Sequence, residues 1–125
     1  MITRTPAEQA DINVFQAADA RLIESVKRES GAEEIEIARR AWVIAACRVE
    51  EARIERAFAE RSKGKPWNGF GPGQRESIAA DMDRRADAVI RRAEAHRDFA
   101  REMAMPTIRE ALERIAESSA LSRNN

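Results

Sequence analysis

The segment Ser62-Lys-Gly-Lys-Pro-Trp-Asn-Gly-Phe-Gly-Pro-Gly-Gln-Arg-Glu-Ser77 divides the chain into two parts. It contains four of the five glycines and two of the four prolines. Glycine disfavours helix and proline removes a backbone donor, so the chain must leave the helix here. Long segments with helical periodicity lie on both sides. We therefore predict a glycine- and proline-rich loop over residues 62–75 that joins two long helices.

The composition of the 125-residue chain favours an all-α fold in a single domain. Charged residues make up 35% of the chain and are mostly Arg and Glu, which are good helix formers. Alanine contributes 24 residues, against 29 large apolar ones. Because an alanine-rich interior is thin, we expect the helices to approach closely or to bury further surface in a homo-oligomer of the coiled-coil type.

Helix boundaries follow from capping residues. Thr5 and Pro6 suit the start of a first helix, with Glu8 completing a capping box, and Gly31 is a natural left-handed cap at its end. Pro106 is expected to break the helix that contains it. These signals predict an antiparallel helical bundle of three long helices plus a short C-terminal fourth helix, with the bounds 6–28, 32–61, 76–105 and 107–119.

Apolar stripes predict which faces are buried. Helix two carries two stripes, and the second includes Ile37, Ile44 and Phe58, so we expect a central helix that is buried on more than one side. The stripe of helix three runs from Ile78 to Met103 and includes His96, the single histidine. His96 is therefore expected to be partly buried and hydrogen-bonded.

No catalytic constellation stands out, and we predict that the protein is not an enzyme. His96 lacks the Glu three residues before it that a Glu-x-x-His metal site would need. Cys47 lies in an apolar run, with nothing nearby in sequence to lower its pKa. The glycine-rich loop lacks the Gly-Lys-Ser/Thr sequence of a phosphate-binding loop. We predict no cofactor and no metal.

The charge pattern and hydropathy bear on location and partners. The chain has 22 basic and 22 acidic residues, and only the loop region departs from local balance. No run of 18 apolar residues is present, so no membrane span is expected. The N-terminus lacks an apolar signal core, and a single cysteine cannot form an internal disulfide. We expect a cytoplasmic protein of bacterial or phage origin.

The loop contains the candidate binding residues Lys63, Lys65, Trp67, Phe70 and Arg75. In one interpretation the two aromatic side chains fold back and close the open end of the bundle. In another they project as anchors for a protein partner, since aromatic residues beside cations are enriched at binding hot spots. In a third they stack on the bases of a nucleic acid, while the cations contact phosphates.

The favoured functional hypothesis is a non-enzymatic helical protein-interaction module, self-associating, that acts by binding another macromolecule. It depends on the long striped helices and on the lack of a catalytic constellation. Accessory and inhibitor proteins of phages and mobile elements include small helical proteins of this kind, although no residue here identifies that class. The alternative hypothesis is a nucleic-acid-binding protein that uses the basic and aromatic loop 63–75.

Overall fold

The computed structural model describes residues 4–123, which form three helices. They are α1 (Pro6–Lys27), α2 (Ala32–Ser62) and α3 (Pro72–Arg123). Each helix packs against the other two, and no strand occurs in the described part of the chain. The predicted all-α bundle is confirmed.

Side-chain contacts fix the helix directions. Trp42 in the middle of α2 bonds to Asp19 in α1, and Arg56 near the end of α2 pairs with Glu8 at the start of α1. These pairs show that α1 and α2 are antiparallel. Arg39 pairs with Asp87 and Arg75 pairs with Glu51, so α2 and α3 are also antiparallel.

The start of α1 agrees with its sequence signal in part. The Thr5 hydroxyl oxygen accepts a hydrogen bond from the backbone N–H of Glu8 at 3.1 Å, and Pro6 occupies the first turn. The Glu8 carboxylate, however, pairs with Arg56 of α2 at 2.6 Å. Half of the predicted capping box therefore forms, and the other half is replaced by a contact between helices.

The turn between α1 and α2 differs from the prediction. The left-handed residue is Glu29, with a φ of 56°, whereas Gly31 has a φ of −57° and precedes α2. Non-glycine residues are uncommon in this region of backbone space. The Glu29 carboxylate pairs with Arg101 of α3 at 2.5 Å and lies 3.8 Å from Arg97. The Arg101 hydrogen bond also lowers the pKa of Glu29.

α3 begins at Pro72, four residues earlier than predicted. Proline suits the first position of a helix, where its missing N–H has no helical partner to lose. The Gln74 side-chain oxygen accepts a hydrogen bond from the backbone N–H of Gly71 at 2.6 Å, which caps the new helix. The loop is therefore shorter than predicted and covers residues 63–71.

Pro106 does not end α3, so the predicted boundary between a third and a fourth helix is wrong. Residues 107–119 are helical as predicted, but they continue α3 as one bent helix. Proline removes one helical hydrogen bond and clashes with the preceding turn, which kinks a helix without always ending it. Thr107 accordingly lies inside the helix and not at an N-cap.

The core lies where the three helices meet, and its largest completely buried side chains are Leu22 and Val26. The other buried apolar residues come from α2 and α3: Ala38, Trp42, Ala45, Ala46, Met82, Ala86 and Ala93. The prediction that α2 is buried on more than one side is wrong at Ile37 and Ile44, which are exposed. The reason is that α1 and α3 both pack against the face of α2 that carries Trp42.

The apolar face of α3 that runs from Ile78 to Met103 is buried only as far as Ala93. His96 is exposed, contrary to the prediction, because α1 ends and α2 begins near this level of the bundle. None of the described helices has a stretch that is long and apolar enough to cross a lipid bilayer.

Candidate functional site

The aromatic residues of the loop form a cluster with α2. The rings of Phe58 and Trp67 are 4.8 Å apart, and those of Trp67 and Phe70 are 5.1 Å apart, both in edge-to-face geometry. The guanidinium of Arg75 lies over the Phe70 ring at 5.6 Å. Such pairs stabilise a fold beyond their buried area. The contacts favour the interpretation in which the loop closes one end of the bundle.

The three cations predicted to accompany these rings differ in their contacts and exposure. Arg75 lies 3.6 Å from Glu51 of α2 as well as over Phe70, so its charge has a partner within the chain. Lys63 and Lys65 are exposed. Lys63 ends α2 in a left-handed conformation with a φ of 48°. The structure thus brings Trp67, Phe70 and Arg75 together, while the two lysines face solvent beside them.

A second surface, which the sequence analysis missed, lies on the C-terminal half of α3. Every residue from Asp98 to Ala120 whose side chain is described is exposed. At ~1.5 Å per residue, the part of α3 from Glu102 to Arg123 is about 33 Å long, measured along the helix. This part of α3 therefore has no packing partner among the described residues.

The projecting segment is strongly amphipathic. Met105, Ile108, Leu112 and Ile115 follow one another at spacings of three, four and three, which places them on one helical face. Between half and two-thirds of each side chain is exposed. We call these four residues the apolar stripe. Three charged residues of the same segment lie on the opposite face, Glu110, Arg114 and Glu117, whereas Arg109 and Glu113 lie to one side of the stripe.

The signal for this stripe was present in the sequence. The spacing of Ile108, Leu112 and Ile115 indicates an apolar helical face, which a separate fourth helix of the predicted bundle would pack against the other helices. That interpretation required a chain reversal at Pro106. Because α3 continues instead, the same face is carried away from the core.

A separate apolar groove runs along the seam between α1 and α3. Its floor includes Phe15, Trp42 and Met82, and Arg85 and Arg92 contribute to its lining. The groove has a volume of about 360 Å³. The ring centroids of Phe15 and Trp42 are 5.3 Å apart in edge-to-face geometry, so the groove is lined by side chains that pack in the core. Glu50 also lines the groove, and it already pairs with Arg53 of its own helix at 2.5 Å.

The potential nucleophile and metal ligands are dispersed. Cys47 is half-buried, and burial, followed by the charges of Glu51 and Asp83, raises the pKa of its thiol. A raised pKa disfavours the reactive thiolate. Within residues 4–123, no group of three or more His, Cys, Asp or Glu side chains is placed to hold a metal ion.

No known protein family, curated protein or solved structure matches this chain.

Proposed function

We propose that the protein is a non-enzymatic helical protein-interaction module that binds another macromolecule through the apolar stripe. A single observation carries the proposal: four large apolar side chains lie in one row on a helical face that no other described residue covers. Amphipathic helices bind partners through apolar anchors at positions such as i, i+3 and i+7. Met105, Ile108 and Leu112 have this spacing.

The rest of the molecule suits this role as a support for the projecting helix. Arg97 donates a hydrogen bond to the backbone carbonyl of Val26 at 3.2 Å, and Arg101 pairs with Glu29. Both arginines lie in α3 just before the projecting segment; Arg97 binds the last turn of α1, and Arg101 binds the turn that follows α1. The segment therefore starts from a fixed point on the bundle, which lowers the conformational cost of presenting its stripe.

The proposal is tested by photo-crosslinking in the native host. A photoreactive phenylalanine analogue in place of Leu112 should form a covalent adduct with a protein, because position 112 lies in the middle of the stripe. The same analogue in place of Arg114, on the opposite face of the helix, is the matched control. The proposal fails if position 112 yields no protein adduct, or yields only the adducts seen at position 114.

The alternative of nucleic-acid binding retains one observation in its favour. Exposed Lys63 and Lys65 adjoin Trp67, whose ring is only partly covered. If the loop binds single strands, an oligonucleotide should bind at low salt and dissociate steeply as salt rises. Lys63→Gln with Lys65→Gln should then abolish the binding.

The cytoplasmic location expected from the sequence stays a prediction.

A further inference from the structure

The two edges of the apolar stripe differ in charge. Helical spacing places Arg109 beside the stripe on one edge, with Glu113 one turn further along on the same side. The other edge carries only small uncharged residues: Ala104, Ala111 and Ser118. All five of these side chains are exposed.

When two copies of this helix pair, the charged edges complement each other in the antiparallel arrangement and not in the parallel one. In an antiparallel helix pair with two-fold symmetry, each edge faces the same edge of the other copy. Arg109 would then lie within one turn of the partner's Glu113, and the ion pair would form twice. In a parallel pair, the charged edge would face the small uncharged edge, and neither ion pair would form.

We infer that the apolar stripe binds the same stripe of a second copy of this chain, as an antiparallel helix pair. Met105 packs opposite the partner's Ile115, and Ile108 packs opposite the partner's Leu112, so that each contact occurs twice. The small residues on the uncharged edge let the two backbones approach closely. This inference rests on the proposed function and names the partner of the same surface.

The contact area sets the expected strength. One face of the 16-residue segment 105–120 is about 24 Å long and about 10 Å wide. The projected area is thus about 240 Å² on each copy, well below the ~800 Å² per partner of a stable complex. The helix is already formed, however, so little ordering is needed on binding. A reversible dimer with a dissociation constant on the order of 10–100 μM is expected.

The first test measures the mass of the full chain by light scattering and sedimentation from about 1 μM to about 1 mM, a range chosen to bracket the expected dissociation constant. The unmodified protein should pass from monomer to dimer. Leu112→Gln should raise the dissociation constant about tenfold or more, because it removes a central anchor. Arg114→Gln, on the opposite face, introduces the same residue and should leave the constant unchanged.

The second test examines the antiparallel orientation through charge reversal. Arg109→Glu alone and Glu113→Arg alone should each weaken the dimer, because like charges then face each other across the axis. The double variant should restore it. A mixture of the two single variants should form a mixed dimer in preference to either homodimer. Circular dichroism at monomer concentrations checks that each variant keeps its helix content.

The outcomes separate this inference from the proposed function. A monomer throughout the concentration range overturns the inference. If the crosslink at position 112 then identifies a different protein, the proposed function stands with that partner. A dimer that Leu112→Gln does not weaken also overturns the inference, since another surface, such as the exposed pair Ile37 and Ile44, must then mediate it. A monomer without any crosslink at position 112 overturns both.

Discussion

The indole N–H of Trp42 donates a hydrogen bond to Oδ1 of Asp19 at 2.9 Å. Trp42 is only 4% exposed, and Asp19 is half-buried on the facing helix α1. The bond therefore satisfies the one polar atom that the largest core side chain brings into the bundle. It also fixes the register of α1 against α2, since it joins one defined position of each helix.

Removal of this acceptor should destabilise the protein. Asp19→Ala leaves the indole N–H buried without its partner, and the free energy of unfolding should fall by about 1–3 kcal/mol. Asp19→Asn keeps a side-chain oxygen that can accept the bond, so its loss should be smaller. Urea denaturation measures both variants. Equal losses in the two would mean that the carboxylate charge, and not the hydrogen bond, matters at this position.

The aromatic cluster of the loop predicts a stability cost for Trp67→Ala. Trp67 contacts Phe58 and Phe70 but is only half-buried, so the free energy of unfolding should fall by about 1–3 kcal/mol. Trp42→Ala, in the core, is the reference and should cost about 3–5 kcal/mol. If Trp67→Ala leaves thermal unfolding unaltered, the loop does not close the bundle, and Trp67 is better explained as an anchor for a partner.

Arg39 should couple to α3 more strongly than a surface arginine does to its own helix. Its side chain is 20% exposed and lies 3.0 Å from Asp87 and 3.3 Å from Asp83. The carboxylates are half exposed, so solvent screening limits the coupling to about 1 kcal/mol. A double-mutant cycle of Arg39→Met with Asp87→Asn measures it.

The exposed pair of Arg40 and Glu36, within α2, provides the matched comparison at 3.1 Å. The cycle of Arg40→Met with Glu36→Gln should give about 0.3–0.5 kcal/mol, as is usual for such pairs. A coupling for Arg39 that does not exceed this value would contradict the prediction.

The thiol of Cys47 should react slowly with iodoacetamide near neutral pH. Burial raises its pKa, so the thiolate fraction is below that of a free thiol, and the rate should increase as the pH rises. The raised pKa also makes the stability of the protein depend on pH. The thiol's contribution to the free energy of unfolding is present below the pKa of the unfolded chain and is lost as the pH rises through the pKa of the folded protein.

The comparison for Cys47 is the same chain in urea, where the thiol is fully accessible. Alkylation should be faster in urea at every pH, and the two pH profiles should differ in midpoint, with that of the folded protein at higher pH. Equal rates in the folded and unfolded chain would show that the thiol is neither covered nor perturbed.

Features that depend on spacing within one element were predicted well. The start of α1 at Pro6 and both ends of α2 agree with the sequence to within one residue. The pairs Asp81–Arg85 and Glu36–Arg40 form as their spacing of four predicts. Asp87 and Arg91 have the same spacing of four, but Asp87 instead pairs with Arg39 of α2.

In the candidate site, too, features within one segment were predicted and contacts between segments were not. The sequence predicted that Trp67, Phe70 and Arg75 could act together, and the structure brings them into one cluster. It could not show that Phe58 of α2 would meet Trp67, because that contact depends on how the loop returns to the helix. Nor could it show that the apolar stripe is exposed.

The sequence alone determined the helical class, the loop and the amphipathic faces, because helix propensity, capping and periodicity act over a few neighbouring residues. Tertiary structure decided which of those faces are covered. The apolar stripe, which includes Ile108, and the apolar face of α3 that includes Met82 have similar spacing, yet Met82 is buried and Ile108 is exposed. The difference arises because α1 ends and α2 begins between the levels of Ala93 and Arg97, while α3 continues through Pro106. Spacing within a helix carries no information about where its neighbours stop.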